Sequence, residues 1–151
     1  MECASVSKCT RHDVTESHPP MEDQATANRA PCEIRADVAG NLIRIAYVGH
    51  VTEAGMEKCV EAFKALLPSM RSSFTVLADF TRMESMDLDC VTGLAKIMDA
   101  CHGHGVGTVV RIVPDPSKDI GLKILGIVHY RGAVRVVTCN SPAEAQRVLN
   151  V

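Results

Sequence analysis

Cysteines and histidines are the residues of this 151-residue chain with the widest chemical reach. Cys3, Cys9, Cys32, Cys59, Cys90, Cys101 and Cys139 are odd in number and irregularly spaced. No Cys-x-x-Cys occurs, so neither a zinc knuckle nor a dithiol redox pair is indicated. The four from Cys59 onward read as reduced thiols packing as small apolar residues. Cys3, Cys9, His12 and His18 fall in a polar stretch whose loose spacing is a poor metal cage.

Cys101, His102 and His104 sit together, but Cys101 lies on the apolar side of a helical pattern and no carboxylate or second thiolate is at ligand spacing. The neighbouring Gly103-His104-Gly105-Val106-Gly107 follows a helix and precedes a strand. A phosphate loop needs the reverse order, so that a helix N-terminus faces the anion. His50 and His129 are isolated in sequence, and no Gly-x-Ser-x-Gly, His-Glu-x-x-His or lysine-bearing phosphate loop is present. Neither a cofactor nor a metal is expected, and catalysis is not the expected role.

Composition narrows the partners. The formal net charge is -2 and aromatic residues are 3% of the chain, which disfavours nucleic acid as a partner. No apolar run approaches the ~20 residues of a membrane span. Met1-Glu2-Cys3-Ala4-Ser5 lacks a basic start followed by an apolar stretch, so a secretory leader is not expected and a cytoplasmic location is. With 46% apolar residues and no Trp, a core of aliphatic side chains without large rings is expected.

Residues 1–31 are polar, carry Pro19, Pro20 and Pro31, and read as a mobile tail. A domain over 32–151 follows. Cys32, Ile34, Ala36 and Val38 alternate with polar residues as in an edge strand, and Leu42–Val48 pairs with it across an Ala39-Gly40-Asn41 turn. Gly49 and His50 end that strand. Thr52 caps a helix carrying Met56, Val60, Phe63 and Leu67, which Pro68 stops. Phe74–Phe80 is a buried strand and Thr81–Met86 a loop.

Leu88, Val91, Leu94, Met98 and Cys101 mark a second helix, and Thr108–Val113 a strand. Ser117 caps a third helix over Lys118–Val128, Ala133–Thr138 is the last strand, and Asn140-Ser141-Pro142-Ala143-Glu144 opens a fourth helix. The order β-β-α-β-α-β-α-β-α predicts an α/β fold: a mixed sheet of about five strands, an N-terminal hairpin, β-α-β crossovers and four helices.

One segment is informative beyond its structure. Asp79 ends the predicted buried strand, and eight residues later Asp87 stands at a helix start, followed by Thr92-Gly93-Leu94. Asp79 as strand end and Asp87 as helix cap account for these residues structurally. The same spacing, with the element order over residues 32–151 and the Asn140–Ala145 helix start, resembles the STAS family of anti-sigma-factor antagonists and sulphate-transporter tails. The family's Asp-Ser-Ser-Gly-Leu corresponds here to Asp87-Leu88-Asp89-Cys90-Val91, so its phosphorylated serine falls on Asp89.

That resemblance implies a non-enzymatic regulatory module that docks on a protein, typically a serine kinase acting as an anti-sigma factor. The docking surface would comprise Asp87, Leu88, Asp89, Cys90 and Thr92, with Asp89 at the phospho-switch position. The alternative is a ligand- or lipid-binding domain with an apolar site near the third helix. That helix has Ile120, Ile124, Ile127 and Val128 on one face and Leu122 and Leu125 on another, the second pair fitting a homodimer or ligand face.

Overall fold

The structure, a computed structural model, describes residues 31–115, 129–130 and 134–150. Five strands form one sheet: β1 (Cys32–Asp37), β2 (Leu42–Val51), β3 (Thr75–Met86), β4 (Thr108–Ile112) and β5 (Arg135–Cys139). Their spatial order follows the chain. β1 is antiparallel to β2, and every later pair is parallel. Among the described residues there are three α-helices rather than four: α1 (Glu53–Leu66), α2 (Cys90–Gly103) and α3 (Pro142–Leu149). The expected third helix over 118–128, with Leu122 and Leu125, lies outside the described residues, as does the tail before Pro31.

The pleat sends alternate side chains to opposite faces, and each face buries a different set. Ile43, Ile45 and Tyr47 of β2, Val76 and Phe80 of β3, and Val109 of β4 point to one face. There α1 supplies Met56, Cys59, Val60 and Phe63, and α2 supplies Leu94, Ile97, Met98 and Cys101. Leu42, Leu77, Val110, Ile112 and Cys139 point to the other, under Ala145 of α3 with Val148 and Leu149 beside it. α3 is only eight residues long, and the β1–β2 end of this second face is polar, carrying an exposed Glu33–Arg82 ion pair at 2.8 Å.

The core departs from the aliphatic expectation. All five aromatic residues, Tyr47, Phe63, Phe74, Phe80 and Tyr130, are buried on the α1–α2 face. Tyr47 and Phe80 stack at 4.9 Å with an interplanar angle of 17°, a geometry that adds to area burial. Few rings suffice when every one is inside.

Local chemistry explains the helix boundaries. Thr52 Oγ1 accepts from Gly55 N at 3.1 Å, so it caps α1 as expected. Pro68 lies in a 3-10 turn (Leu67–Ser69) that follows α1 directly. Ser141 Oγ accepts from Glu144 N at 3.2 Å, while the Glu144 carboxylate accepts from Asn140 N at 2.8 Å, a reciprocal cap with Pro142 in the first turn. α2 closes on Gly105, whose φ of +84° suits glycine. The amides of His104, Gly105 and Val106 go to carbonyls of α2, and that of Gly107 to Phe74 O. This glycine-rich loop ends a helix, as its position in the chain predicts.

Two expectations fail. The bond Cys32–Cys59 is a disulfide, with 27 residues of separation, so Cys59 is not a free thiol. It ties the first residue of β1 to the middle of α1. Cys90, Cys101 and Cys139 are free and buried as expected, and burial pushes the Cys101 thiol up to about 12. The strand ends also differ. β2 runs on through Gly49 and His50 to Val51, and the predicted Thr81–Met86 loop is strand, paired with it through register shifts. Asp79 consequently lies within β3, where its Oδ1 accepts from Thr81 N at 2.8 Å.

Candidate functional site

The extended ends of β2 and β3 bring the informative residues together. His50 and Ser85 are register partners across these parallel strands. His50 Nδ1 lies 2.5 Å from Ser85 Oγ, and its Nε2 lies 2.9 Å from Asp87 Oδ1. In the neutral ring a carboxylate at Nε2 favours the proton there, which leaves Nδ1 to accept from the serine hydroxyl. Asp87 N donates to Val51 O at 2.9 Å, and Cys90 N donates to Asp87 O at 3.0 Å. Asp87 therefore links the strand ends to the start of α2 and is not its side-chain cap.

Asp89 occupies the capping position but makes no side-chain capping bond, and its φ/ψ of -65°/-14° are already helical. Such geometry turns the carboxylate away from the first-turn amides that a β-region cap would reach. Its negative charge still lies beside the positive end of the helix dipole. Leu88 is 85% exposed and Val91 41%. A leucine so placed buries almost none of its apolar surface in this fold.

Cys90 is the expected surface residue that the structure turns inward. It is fully buried, with Sγ 3.4 Å from Val51 O. Burial first, and then the Asp87 carboxylate, push its thiol up, so it is no ready thiolate. Cys90 supports the loop from beneath and presents nothing to a partner. Thr92 is exposed and lines a groove between α1 and α2 of about 320 Å³. Glu53, Glu57, Glu61 and Asp89 contribute acidic groups to that groove, Lys64 and Lys96 basic ones, and Met56, Val60 and Gly93 its apolar lining.

Gly93 sets the depth of that groove. A Cβ there would lie 2.2 Å from Met56 Cγ, so only hydrogen allows this approach of the two helices. Sequence reasoning identified Asp87, Leu88, Asp89 and Thr92 but missed His50 and Ser85 as a pair. They are 35 residues apart, and the signal linking them is the β2–β3 register, hidden by the polar composition of 81–86.

No protein-family model and no curated protein sequence matches the chain. Solved structures do. The unphosphorylated anti-sigma factor antagonist SpoIIAA aligns with a TM-score of 0.55 at 12% identity, over 80% of this chain and 99% of that one. A SpoIIAA-like protein of the DUF3478 family from Shewanella loihica PV-4 gives 0.58 at 15%, over 78% and 91%. An anti-sigma factor antagonist from Mycobacterium paratuberculosis gives 0.53 at 12%, over 80% and 93%. The fold is therefore STAS-like, as the Asp79–Leu94 segment implied. No described helix is long and apolar enough to cross a membrane.

Proposed function

We propose that this chain is a regulatory docking module, a partner switch or scaffold of the anti-sigma-factor-antagonist kind, over residues 32–151 with 1–31 as an appended tail. The observation that carries this reading is the α2 start: an 85% exposed Leu88 between Asp87 and Asp89, beside the α1–α2 groove. Solitary exposed leucines are common. One that adjoins a concave, charged surface offers a partner an apolar anchor inside a polar rim. The docking surface of this proposal is Asp87, Leu88, Asp89 and Thr92, with Cys90 beneath it.

Asp89 takes the place of a phosphorylated serine and holds the surface in a permanently charged state. A carboxylate brings one negative charge where a phosphoserine brings about two. The partner is a protein, of the serine kinase or anti-sigma-factor type, and neither nucleic acid nor a membrane-spanning segment is part of the proposal. A homodimer through Leu122 and Leu125 on a helix over 118–128 belongs to it as well. So does a cytoplasmic location, where cellular thiols would hold Cys32 and Cys59 reduced for much of the time. The ligand-carrier alternative needs an apolar cavity near 118–128, a stretch outside the described residues.

Partner capture from lysate of the native host tests the switch. Leu88→Asp is expected to remove the partner while the domain stays folded, and Asp89→Ser or Asp89→Ala to change which partner is held. If all three variants fold and capture the wild-type set unchanged, the docking reading fails.

A further inference from the structure

Docking leaves Ser85 and His50, which meet Asp87 on this face, without a role. Ser85 Oγ, His50 and the Asp87 carboxylate form a hydrogen-bonded row of 2.5 Å and 2.9 Å, in the order hydroxyl, imidazole, carboxylate. That order activates a serine, because the base receives the hydroxyl proton and the carboxylate stabilises the imidazolium. The ring nitrogens exchange their commonest roles here, with Nδ1 facing the hydroxyl and Nε2 the carboxylate. Proton removal requires only that the nitrogen facing the hydroxyl be unprotonated, which holds for the neutral ring with its proton on Nε2 towards Asp87. Both sides of the row are reachable, since the side chains of His50 and Asp87 are 50% and 44% exposed.

A second feature lies next to this row in the chain. The chain turns into α2 immediately after Asp87, and the backbone N–H groups of Leu88 and Asp89 have no hydrogen-bond acceptor among the described residues. Unsatisfied amides of this kind are the donors that stabilise an oxyanion. Exposed Leu88 and Val91 offer a short acyl chain an apolar surface at the same helix start.

We propose that Ser85 is an activated nucleophile that takes an acyl group from small activated esters, with His50 as its base and Asp87 as the residue that positions His50. Ser85 Oγ attacks the ester carbonyl carbon as its proton passes to His50 Nδ1. The bond from that carbon to the alkoxy oxygen breaks, and the leaving alcohol takes the proton from His50. Water then attacks the acyl-serine, giving its proton to His50 Nδ1. The Ser85 ester bond breaks, a carboxylic acid leaves, and Ser85 Oγ recovers the proton. The open setting does not exclude water, so the gain over an unassisted serine is placed near the lower end of general-base catalysis, about 100-fold.

The proposal goes beyond the docking reading, and its test needs no partner, so each can fail alone. The full chain is incubated with a fluorophosphonate probe and with p-nitrophenyl acetate, and the adduct is mapped by peptide mass spectrometry. The expected result is one adduct on Ser85, absent in Ser85→Ala and formed at least tenfold more slowly in His50→Gln. Asp87→Asn should slow it as well, and Asp87→Glu should restore part of the rate, which a purely structural carboxylate would not do. Mapping the wild-type adduct decides the matter even where a variant misfolds. If the wild type reacts no faster than the chain unfolded in denaturant, or the adduct lies elsewhere, the row is only a clamp between strands and the proposal is overturned.

Discussion

The starts of α2 and α3 are built on opposite plans. At α3, Ser141 and Glu144 satisfy backbone donors reciprocally within five residues of sequence. At α2, Asp89 stands in the capping position without capping, and the amides of Leu88 and Asp89 have no acceptor among the described residues. α1 resembles α3, with Thr52 as its cap, and is tied further to β1 by Cys32–Cys59. Two helices are thus fixed by their own ends. α2 is held by its buried side instead, with Leu94, Ile97, Met98 and Cys101 in the core, Gly93 against Met56 and Cys90 under Val51. A helix secured by its buried side can keep the exposed residues at its start, Leu88 and Val91, available for contact.

The largest effect should come from the bond that only α1 has. Reducing Cys32–Cys59, or replacing both residues with Ala, is expected to cost about 2–4 kcal/mol for a loop of this kind. Thermal melts with and without reductant measure it. A midpoint that does not move would mean that α1 relies on cap and packing alone, and the contrast with α2 would narrow.

Next comes the contact that replaces an end anchor in α2. Gly93→Val forces side-chain atoms into Met56 and should cost about 1–3 kcal/mol. Gly93→Ala should cost less in a Met56→Ala background than in the wild type, because that background lacks the flexible atoms that a new Cβ meets. If Gly93→Val is neutral, the helices are not held by this approach and the account of α2 is wrong.

The smallest effects sharpen the comparison most directly. Ser141→Ala should destabilise by about 1 kcal/mol, since it orphans a capped amide. Asp89→Ala should cost only about 0.3–1 kcal/mol, the worth of a charge near a helix dipole without a capping bond. Chemical denaturation of the two variants side by side gives the order. Equal losses would show that Asp89 caps α2 in solution, and the two helix starts would then be alike.

What could be read from the sequence follows the same division. Thr52, Ser141, Pro142 and Glu144 act on amides within a few residues, so their roles are visible in a short window. Asp79, Asp87 and the element order were enough to anticipate a STAS-like sheet. The residue pairs missed are set by distant register. Cys32 meets Cys59 only after β1 pairs with β2 and α1 folds back beside it. His50 meets Ser85 only because the pairing of β2 and β3 shifts twice and then continues through a polar stretch. The resemblance puts Cys90 in the docking run because it follows the switch position, yet the turn at Leu88–Asp89 directs its side chain inward.

The disulfide also alters how the chain would bear tension. A force applied through the two termini passes from Cys32 straight to Cys59 and bypasses the hairpin, Thr52 and the first half of α1. Those residues form a mechanically silent loop, storing roughly 85 Å of contour that extension cannot release while the bond holds. Load falls instead on the second half of α1 and on β3, α2, β4 and β5. The same sequence thus has two lengths under strain, and the redox state of one pair of sulfur atoms selects between them.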